Sequence, residues 1–207
     1  MKGLLRKDLY QILRYGRTML MVIAVFLVVS LLNEKNMFFL LYPCLLCGMM
    51  PVTLLSYDER SGWSRYALTM PCTRGQLVAA KYLIGLLMTL AAGIISMAAI
   101  TIRSAAQGAV PAVGALLQTA ELMLSVGLLA PALTLPWMFR LGVEKGRLAY
   151  YGVLILFFGG AAGISRNGVL TVKTLSAGTG HLALAFAAAV FAVSCALSVA
   201  LVRKKEE

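Results

Sequence analysis

The stretch YLIGLLMTLAAGIISMAAITI, which runs from Tyr82 to Ile102, decides how the rest of the chain is interpreted. As a helix it is long enough to cross the roughly 30 Å hydrocarbon core of a bilayer, which takes about 20 apolar residues. Because lipid offers the backbone no hydrogen-bond partners, only helices and closed barrels span it. The sequence therefore predicts a transmembrane helix over this stretch.

Further apolar runs lie on both sides of this stretch, and each is interpreted as a helix for the same reason. The predicted fold class is an all-α membrane protein with six transmembrane helices in a domain over 18–202, followed by a cytoplasmic tail, 203–207. The six predicted spans are Thr18–Leu32, Met37–Ser56, Tyr82–Ile102, Gly114–Met138, Ala149–Ser165 and His181–Val202.

The composition excludes an ordinary soluble domain. Of the 207 residues, 60% are hydrophobic and 13% are charged, and the mean hydropathy is +0.86. Soluble proteins are about half apolar and a quarter charged. The net charge of +11 would suggest nucleic acid as a partner in a soluble chain, but here the cations lie in short clusters between apolar runs. That arrangement favours anionic lipid and indicates no nucleic acid partner.

The distribution of Lys and Arg predicts the orientation. If the spans alternate from a cytoplasmic N-terminus, the inside segments hold fifteen of the 19 basic residues, and this asymmetry is the one that the positive-inside rule requires. Both termini are therefore expected in the cytoplasm. The four basic residues left outside are Lys35, Arg103, Arg166 and Lys173.

The segment 1–17 predicts an amphipathic helix on the inner membrane surface. Leu5, Leu9 and Ile12 recur at helical spacing, with cations largely on the other faces of the helix. A topogenic basic cluster without helical structure is the simpler alternative. The membrane-surface cations of this segment are Lys2, Arg6, Lys7, Arg14 and Arg17.

The longest polar cytoplasmic stretch runs from Tyr57 to Lys81. Trp63 and Tyr66 are expected at the level of the lipid headgroups, where aromatic rings concentrate. Pro71 interrupts the chain just before Thr73, whose hydroxyl is suited to cap the helix that enters the third span. The pattern predicts two short helices joined by a turn.

Catalytic and metal-binding motifs are absent from the sequence. It has no Walker loop, HExxH helix or serine-hydrolase pattern, and its single histidine, His181, is expected to be an interfacial residue. Cys44 and Cys47 form a CxxC inside an apolar run, where packing is a better account than metal or redox chemistry. The chain is therefore predicted not to be an enzyme, with no catalytic residue, metal or cofactor of its own.

Glu121 is the best intramembrane candidate for a functional residue. An ionisable side chain inside a span is costly and usually faces a cavity or a partner. Two interpretations stay open, because a later start of the fourth span would place the carboxylate near the outer interface instead.

Several local motifs occur in an order that is typical of one family. They are LLRKDLY at 4–10, an acidic residue ahead of Trp63 and Tyr66, the LTMP turn that ends at Pro71, then Arg74 and Lys81–Tyr82. In these motifs and in its six predicted spans, over nearly its full length, the chain resembles the short six-helix permease subunits of ABC-2 type ATP-binding-cassette exporters. The resemblance is strongest to those related to small peptide exporters of Gram-positive bacteria.

The resemblance implies a coupling role for the first cytoplasmic loop, which in that family docks on a separate ATPase subunit. The residues it assigns to ATPase coupling are Tyr57, Asp58, Glu59, Arg60, Trp63, Arg65, Tyr66, Pro71 and Arg74. A lesser cytoplasmic contact is implied for the second loop, at Arg140, Glu144, Lys145 and Arg147.

The resemblance also implies the partners. ATP and Mg would be bound by the ATPase subunit, and two six-helix subunits, identical or paralogous, would form the transport path in a bacterial plasma membrane. The implied cargo is an amphipathic peptide or another hydrophobic compound. The segment 165–180 is polar and rich in glycine, and it matches no particular element of the family.

Two other functions remain compatible with the residues alone. One is a proton- or ion-coupled secondary carrier that uses Glu121 at membrane depth. The other is a membrane scaffold or immunity protein that binds a partner and transports nothing.

Overall fold

The computed structural model of the protein describes residues 2–32, 38–67, 69, 73–106, 108, 113–142, 145–146, 148, 151–152, 155–156, 159 and 177–203. Within these ranges the chain is helical apart from turns and short connections, and no strand occurs. This part of the chain confirms the predicted all-α class. Its helices with defined bounds are α1 (Lys2–Tyr15), α2 (Arg17–Leu32), α3 (Phe38–Gly48), α4 (Met50–Arg60), α5 (Trp63–Ala67), α6 (Arg74–Ala106), α7 (Val113–Leu141) and α8 (Ala177–Arg203).

By length and composition, three stretches of the described residues could each cross a bilayer as one continuous helix. They lie in α6, α7 and α8, and α1 with α2 would add a fourth span if that bent pair is counted as one. These three match the predicted third, fourth and sixth spans. The fifth predicted span, 149–165, lies mostly outside the described residues, although 151–152, 155–156 and 159 are helical. The count of six spans and their orientation stay predictions.

The N-terminal segment forms a separate helix, α1, which meets α2 at an angle of 70°. The bend occurs at Gly16, where a Cβ atom would lie 2.6 Å from the backbone oxygen of Ile12. The apolar residues of α1 fall into two groups: Leu4 and Ile12 are buried, while Leu9 and Leu13 are exposed. Apolar side chains thus lie on two sides of α1, one in contact with the bundle and one available to lipid.

The second predicted span is divided into α3 and α4 at Met49. Pro51 lacks the N–H that would continue the helical hydrogen bonds, which explains an interruption just before it. The residues from 43 to 50 are all buried, so this segment lies inside the bundle. Gly48 approaches the backbone of Gly127 on α7 so closely that a Cβ atom would collide with its carbonyl oxygen.

For the polar stretch from Tyr57 to Lys81 the sequence predicts two short helices joined by a turn; its described residues form the end of α4, a turn, the short helix α5 and the start of α6. A turn at Ser61 and Gly62, with φ of +67° at the glycine, leads into the short helix α5. Thr73 then caps α6: its hydroxyl accepts a hydrogen bond from the Gln76 N–H at 3.3 Å, and its own N–H donates to the Gln76 side chain at 3.2 Å. This reciprocal pair is a capping box, and it confirms the predicted N-cap.

One end of the bundle, here named the loop end, holds α1, the C-terminus of α4, α5 and the N-terminus of α6. The last turns of α7 and α8 also lie there, because Met138 and Val202 belong to the apolar cluster around Val78 of α6. At the opposite end, the Arg103 guanidinium near the end of α6 donates to the backbone oxygen of Ser30 on α2 at 3.0 Å. The helix ends predicted to be cytoplasmic therefore meet at the loop end.

Candidate functional site

Two lysines and two aspartates from three helices form a network of ion pairs at the loop end. The Lys81 ammonium of α6 lies 2.8 Å from Asp8 Oδ1 on α1 and 2.6 Å from Asp58 Oδ2 on α4. Lys7 of α1 lies 2.6 Å from Asp58 Oδ1 and 3.1 Å from Asp8 Oδ1. These four residues, Lys7, Asp8, Asp58 and Lys81, are named the charge quartet below.

The charge quartet is buried for the most part. Asp8 is 2% exposed, Asp58 4% and Lys81 6%, while Lys7 is half-buried. Removing ionised groups from water costs several kcal/mol each unless partners compensate. The quartet contains two positive and two negative charges, so each buried ionised side chain is compensated by the opposite charges of the others.

The charge quartet joins α1, α4 and α6, and Trp63 extends this connection to α5. The Lys7 ammonium lies 4.6 Å from the centroid of the Trp63 ring, at a distance typical of a cation–π contact. Trp63 in turn contacts Tyr66, with ring centroids 5.5 Å apart. The short polar helix after α4 is therefore attached to α1 through a charged side chain.

The structure separates the predicted coupling residues into buried and exposed groups. Glu59, Arg60 and Tyr66 are exposed, whereas Tyr57 and Trp63 are half-buried. Arg65 and Arg74 lie on α5 and at the first position of α6, and Pro71 lies outside the described residues. The coupling role of this group stays a prediction.

Asp58 differs from the expectation for a residue on a docking surface. Both of its carboxylate oxygens face lysines of its own chain, and its side chain is 6% exposed. An ionised group with two internal partners has little charge left to offer another subunit. Asp58 therefore holds the end of α4 against α1 and α6, whereas its neighbour Glu59 is exposed.

The predicted second contact lies close to the first. Gly142, with a φ of +82°, directly follows the last residue of α7. A Cβ atom built on this glycine would lie 3.5 Å from Glu59 Oε1, which is ordinary van der Waals contact. Arg140 and Lys145, on either side of this glycine, are exposed. Glu144 and Arg147 lie outside the described residues. The two cytoplasmic contacts predicted from the sequence thus adjoin at the loop end.

The predicted membrane-surface cations divide in a similar way. Arg6, Arg14 and Arg17 are exposed on α1 and at the start of α2. Lys7 instead belongs to the charge quartet. Lys2 is the first residue of α1, and its side chain lies outside the described part of the chain.

Beside Lys81, Tyr82 joins α6 to α8. Its hydroxyl lies 2.7 Å from Ser194 Oγ and 2.8 Å from Ser198 Oγ, and Ser194 Oγ donates to the Ala132 carbonyl of α7 at 2.6 Å. All of these groups are buried, so they satisfy one another in the absence of water. Consecutive residues of α6 thereby attach it to α1 and α4 on one side and to α7 and α8 on the other.

Glu121 lies on α7 near the opposite end of the bundle, where it contacts His181 of α8. The Glu121 Oε1 atom is 2.7 Å from His181 Nδ1, and the side chains are 12% and 70% exposed. Glu121 Oε2 is buried without a hydrogen-bond partner among the described residues, and it packs against Gly180. The histidine expected to be only interfacial therefore has a partner, and Glu121 is half-buried against a neighbouring helix.

Sequence reasoning did not predict the ion pairs of Asp8 and Lys81 or the contact of His181 with Glu121. Asp8 has a detectable signal, since it lies at the centre of the stripe formed by Leu4 and Ile12, where an unpaired acid would be costly. Lys81 similarly lies one turn after the buried Val78. No sequence pattern predicts that His181 meets Glu121, because the two are on different helices.

The described residues contain no group of three or more His, Cys, Asp and Glu side chains placed to hold a metal ion. Cys44 and Cys47 are buried free thiols on α3, packed in the apolar cluster with Met50 and Ile84.

Long apolar helices with a buried ionic network at one end define a multi-pass helical membrane protein. The family model of the ABC-2 family transporter proteins matches residues 3–203. The chain therefore belongs to this family and is the permease component of a transporter, as the motifs of its N-terminus and first loop predict. No curated protein and no solved structure matches it individually.

Proposed function

We propose that this chain is the transmembrane subunit of an ABC-2 exporter and that a separate ATPase subunit docks on the turn between α4 and α5. The observation that carries the proposal is the exposed group Glu59, Arg60 and Tyr66. This group adjoins the charge quartet, because Glu59 and Arg60 follow Asp58 on α4 and Tyr66 contacts Trp63, which lies beside Lys7. A surface of this kind combines charged and aromatic groups suited to a protein partner with a rigid attachment to the membrane helices.

The charge quartet gives the proposed docking surface a mechanical connection to the bundle. A force applied to the end of α4 reaches α6 through the Asp58–Lys81 pair and α1 through the Asp58–Lys7 pair. The Tyr82 hydroxyl then connects α6 to α8. Nucleotide-dependent movement of the ATPase would thus displace several helices together, which is what alternating access requires.

The other parts of the proposal follow from family membership and from the resemblance described above. ATP and Mg bind to the partner subunit, two permease subunits form the path, and the complex works in a bacterial plasma membrane. The cargo is an amphipathic peptide or another hydrophobic compound. Glu121 contributes to the contact of α7 with α8. The pairing of Glu121 with the exposed His181 does not favour the alternative of a proton- or ion-coupled carrier.

Charge reversal on the exposed surface tests the docking proposal. The variant Glu59→Lys with Arg60→Glu keeps the net charge and leaves the charge quartet intact, and we expect it to reduce ATPase copurification from mild detergent at least about tenfold. Arg17→Glu, also an exposed charge reversal, is the control and should retain the ATPase. Both chains must reach the membrane in equal amount. Undiminished copurification with the double variant would remove this surface as the dock.

A further inference from the structure

A cavity of about 520 Å³ lies between α1 and the loop that follows α4, and the proposed docking surface leaves its interior unassigned. Its volume falls within the range of about 300–1,000 Å³ that is usual for small-molecule sites. One face of α1 supplies four lining residues at helical spacing, and the end of α4 and the start of α5 supply the others. The lining residues are Lys7, Tyr10, Gln11, Arg14, Tyr57, Asp58, Arg60, Ser61 and Trp63.

The charge of this lining favours an anion. Three cations face one carboxylate, and that carboxylate, Asp58, is already held by two lysines of the charge quartet. The other two cations of the lining, Arg14 and Arg60, are exposed. A guanidinium presents several N–H donors in a plane and suits phosphate oxygens better than a point charge does.

The neutral groups of the lining are also suited to an anion that carries hydroxyl groups. The Gln11 side-chain oxygen is buried and has no hydrogen-bond partner among the described residues. Its amide contains both a donor and an acceptor, so it can serve either a phosphate or a hydroxyl group. Tyr10 and Ser61 add hydroxyls at exposed positions.

The surroundings of the cavity indicate that the anion is attached to an apolar chain. Leu9 and Leu13 are exposed on α1, next along the helix to Tyr10 and Arg14 of the lining. The 70° bend between α1 and α2 is the geometry expected when α2 enters the bilayer and α1 follows its surface. Headgroups of the inner leaflet would then lie at the depth of the cavity.

We propose that this cavity binds the anionic headgroup of a phospholipid, with Arg14 and Arg60 as the phosphate ligands and Leu9 and Leu13 along the acyl chains. The bound lipid fills the space between α1 and α4 and contacts both of the elements that the charge quartet joins. Arg60 is shared with the proposed docking surface, but lipid binding is measured on the isolated permease without the ATPase, so failure of one proposal leaves the other standing.

Native mass spectrometry of the purified permease tests this site with defined lipids. We expect phosphatidylglycerol to remain bound at one or more molecules per subunit, and phosphatidylcholine with the same acyl chains to bind at least about tenfold more weakly. The variant Arg14→Gln with Arg60→Gln should lower phosphatidylglycerol affinity by about tenfold or more. The matched variant Arg140→Gln with Lys145→Gln removes the same charge from exposed positions outside the cavity and should keep the affinity within about twofold.

If the two double variants lost phosphatidylglycerol affinity equally, the lipid would be held by general attraction to a basic surface and not by this cavity, which would overturn the proposal. Equal retention of both lipids would overturn it too. Glycerol phosphate competing at the same concentration as the lipid would assign the cavity to a soluble phosphate compound, and release of the lipid on ATPase binding would assign it to an acidic segment of the partner.

Discussion

Asp58 and Glu59 are adjacent acids of the same loop, and packing gives them different surroundings. Asp58 is buried between Lys7 and Lys81, while Glu59 is exposed beside Gly142 at the end of α7. The sequence alone assigns both to a docking surface, because a loop pattern carries no information on which face of α4 meets α1. A substitution at Asp58 therefore tests the internal structure of the protein, and one at Glu59 tests its surface.

Asp58→Asn should destabilise the protein strongly, since it leaves two lysine ammonium groups to share the single carboxylate of Asp8 at a buried site. Removing one partner of a buried ionic network costs about 3–5 kcal/mol. The measurement is thermal stability in detergent, followed by size-exclusion chromatography. The neighbouring change Glu59→Gln is the control and should lie within about 0.5 kcal/mol of the parent. Equal melting temperatures for the two variants would contradict a structural role for the quartet.

Tyr82→Phe should lower stability by about 1–2 kcal/mol, because the two serine hydroxyls of α8 lose their common partner while the ring remains in place. The same assay applies. Tyr66→Phe removes an exposed hydroxyl and is expected to change little. A Tyr82→Phe protein as stable as the parent would show that water or other groups replace the tyrosine.

Glu121→Gln and His181→Gln should show non-additive effects, because each removes the same contact between α7 and α8. A double-mutant cycle on thermal stability is expected to give a coupling free energy below about 1 kcal/mol, given the exposure of the histidine. Strict additivity would mean that the two side chains do not interact in the membrane-embedded protein.

Helices α6, α7 and α8 show how far hydropathy and local chemistry predict the elements. The long apolar runs locate these three helices, and the Thr73 hydroxyl marks the start of α6 correctly. The division of the second span at Met49 was missed, since a proline in an apolar run is compatible with either a kinked or an interrupted helix. For the bend at Gly16, the sequence offers only the change from a basic to an apolar segment. The positions of this bend and of the break at Met49 depend on contacts between helices, which a local pattern does not contain.

Gly48→Ala tests the close approach of α3 and α7. A methyl group there collides with the Gly127 carbonyl, so the helices must separate, which costs about 1–3 kcal/mol in an otherwise packed interior. Gly114→Ala, at the second residue of α7, meets nothing within 4 Å and should be neutral or slightly stabilising. Stability is again the measurement. A tolerated alanine at 48 would show that the α3–α7 crossing is looser than this structure has it.

For the whole molecule, the helix ends predicted to be cytoplasmic lie together. The loop end holds both proposed cytoplasmic contacts, the charge quartet and the anion-binding cavity. Basic asymmetry along the chain predicted this grouping, because orientation is determined by charges in the loops. The quartet itself was beyond sequence reasoning, as its members come from three helices and the paired Asp8 and Lys81 are 73 positions apart.

Site-specific photo-crosslinking in the native host tests whether an ATPase subunit docks at α5. A benzophenone side chain at Tyr66, on the exposed face of α5, is compared with the same group at Val113, an exposed position at the opposite end of the bundle. Mass spectrometry then identifies the crosslinked proteins. We expect an ABC-type ATPase crosslinked from position 66 and none from position 113. If an active transporter gave no ATPase crosslink from position 66, or equal crosslinking from both positions, α5 would not be part of the docking surface.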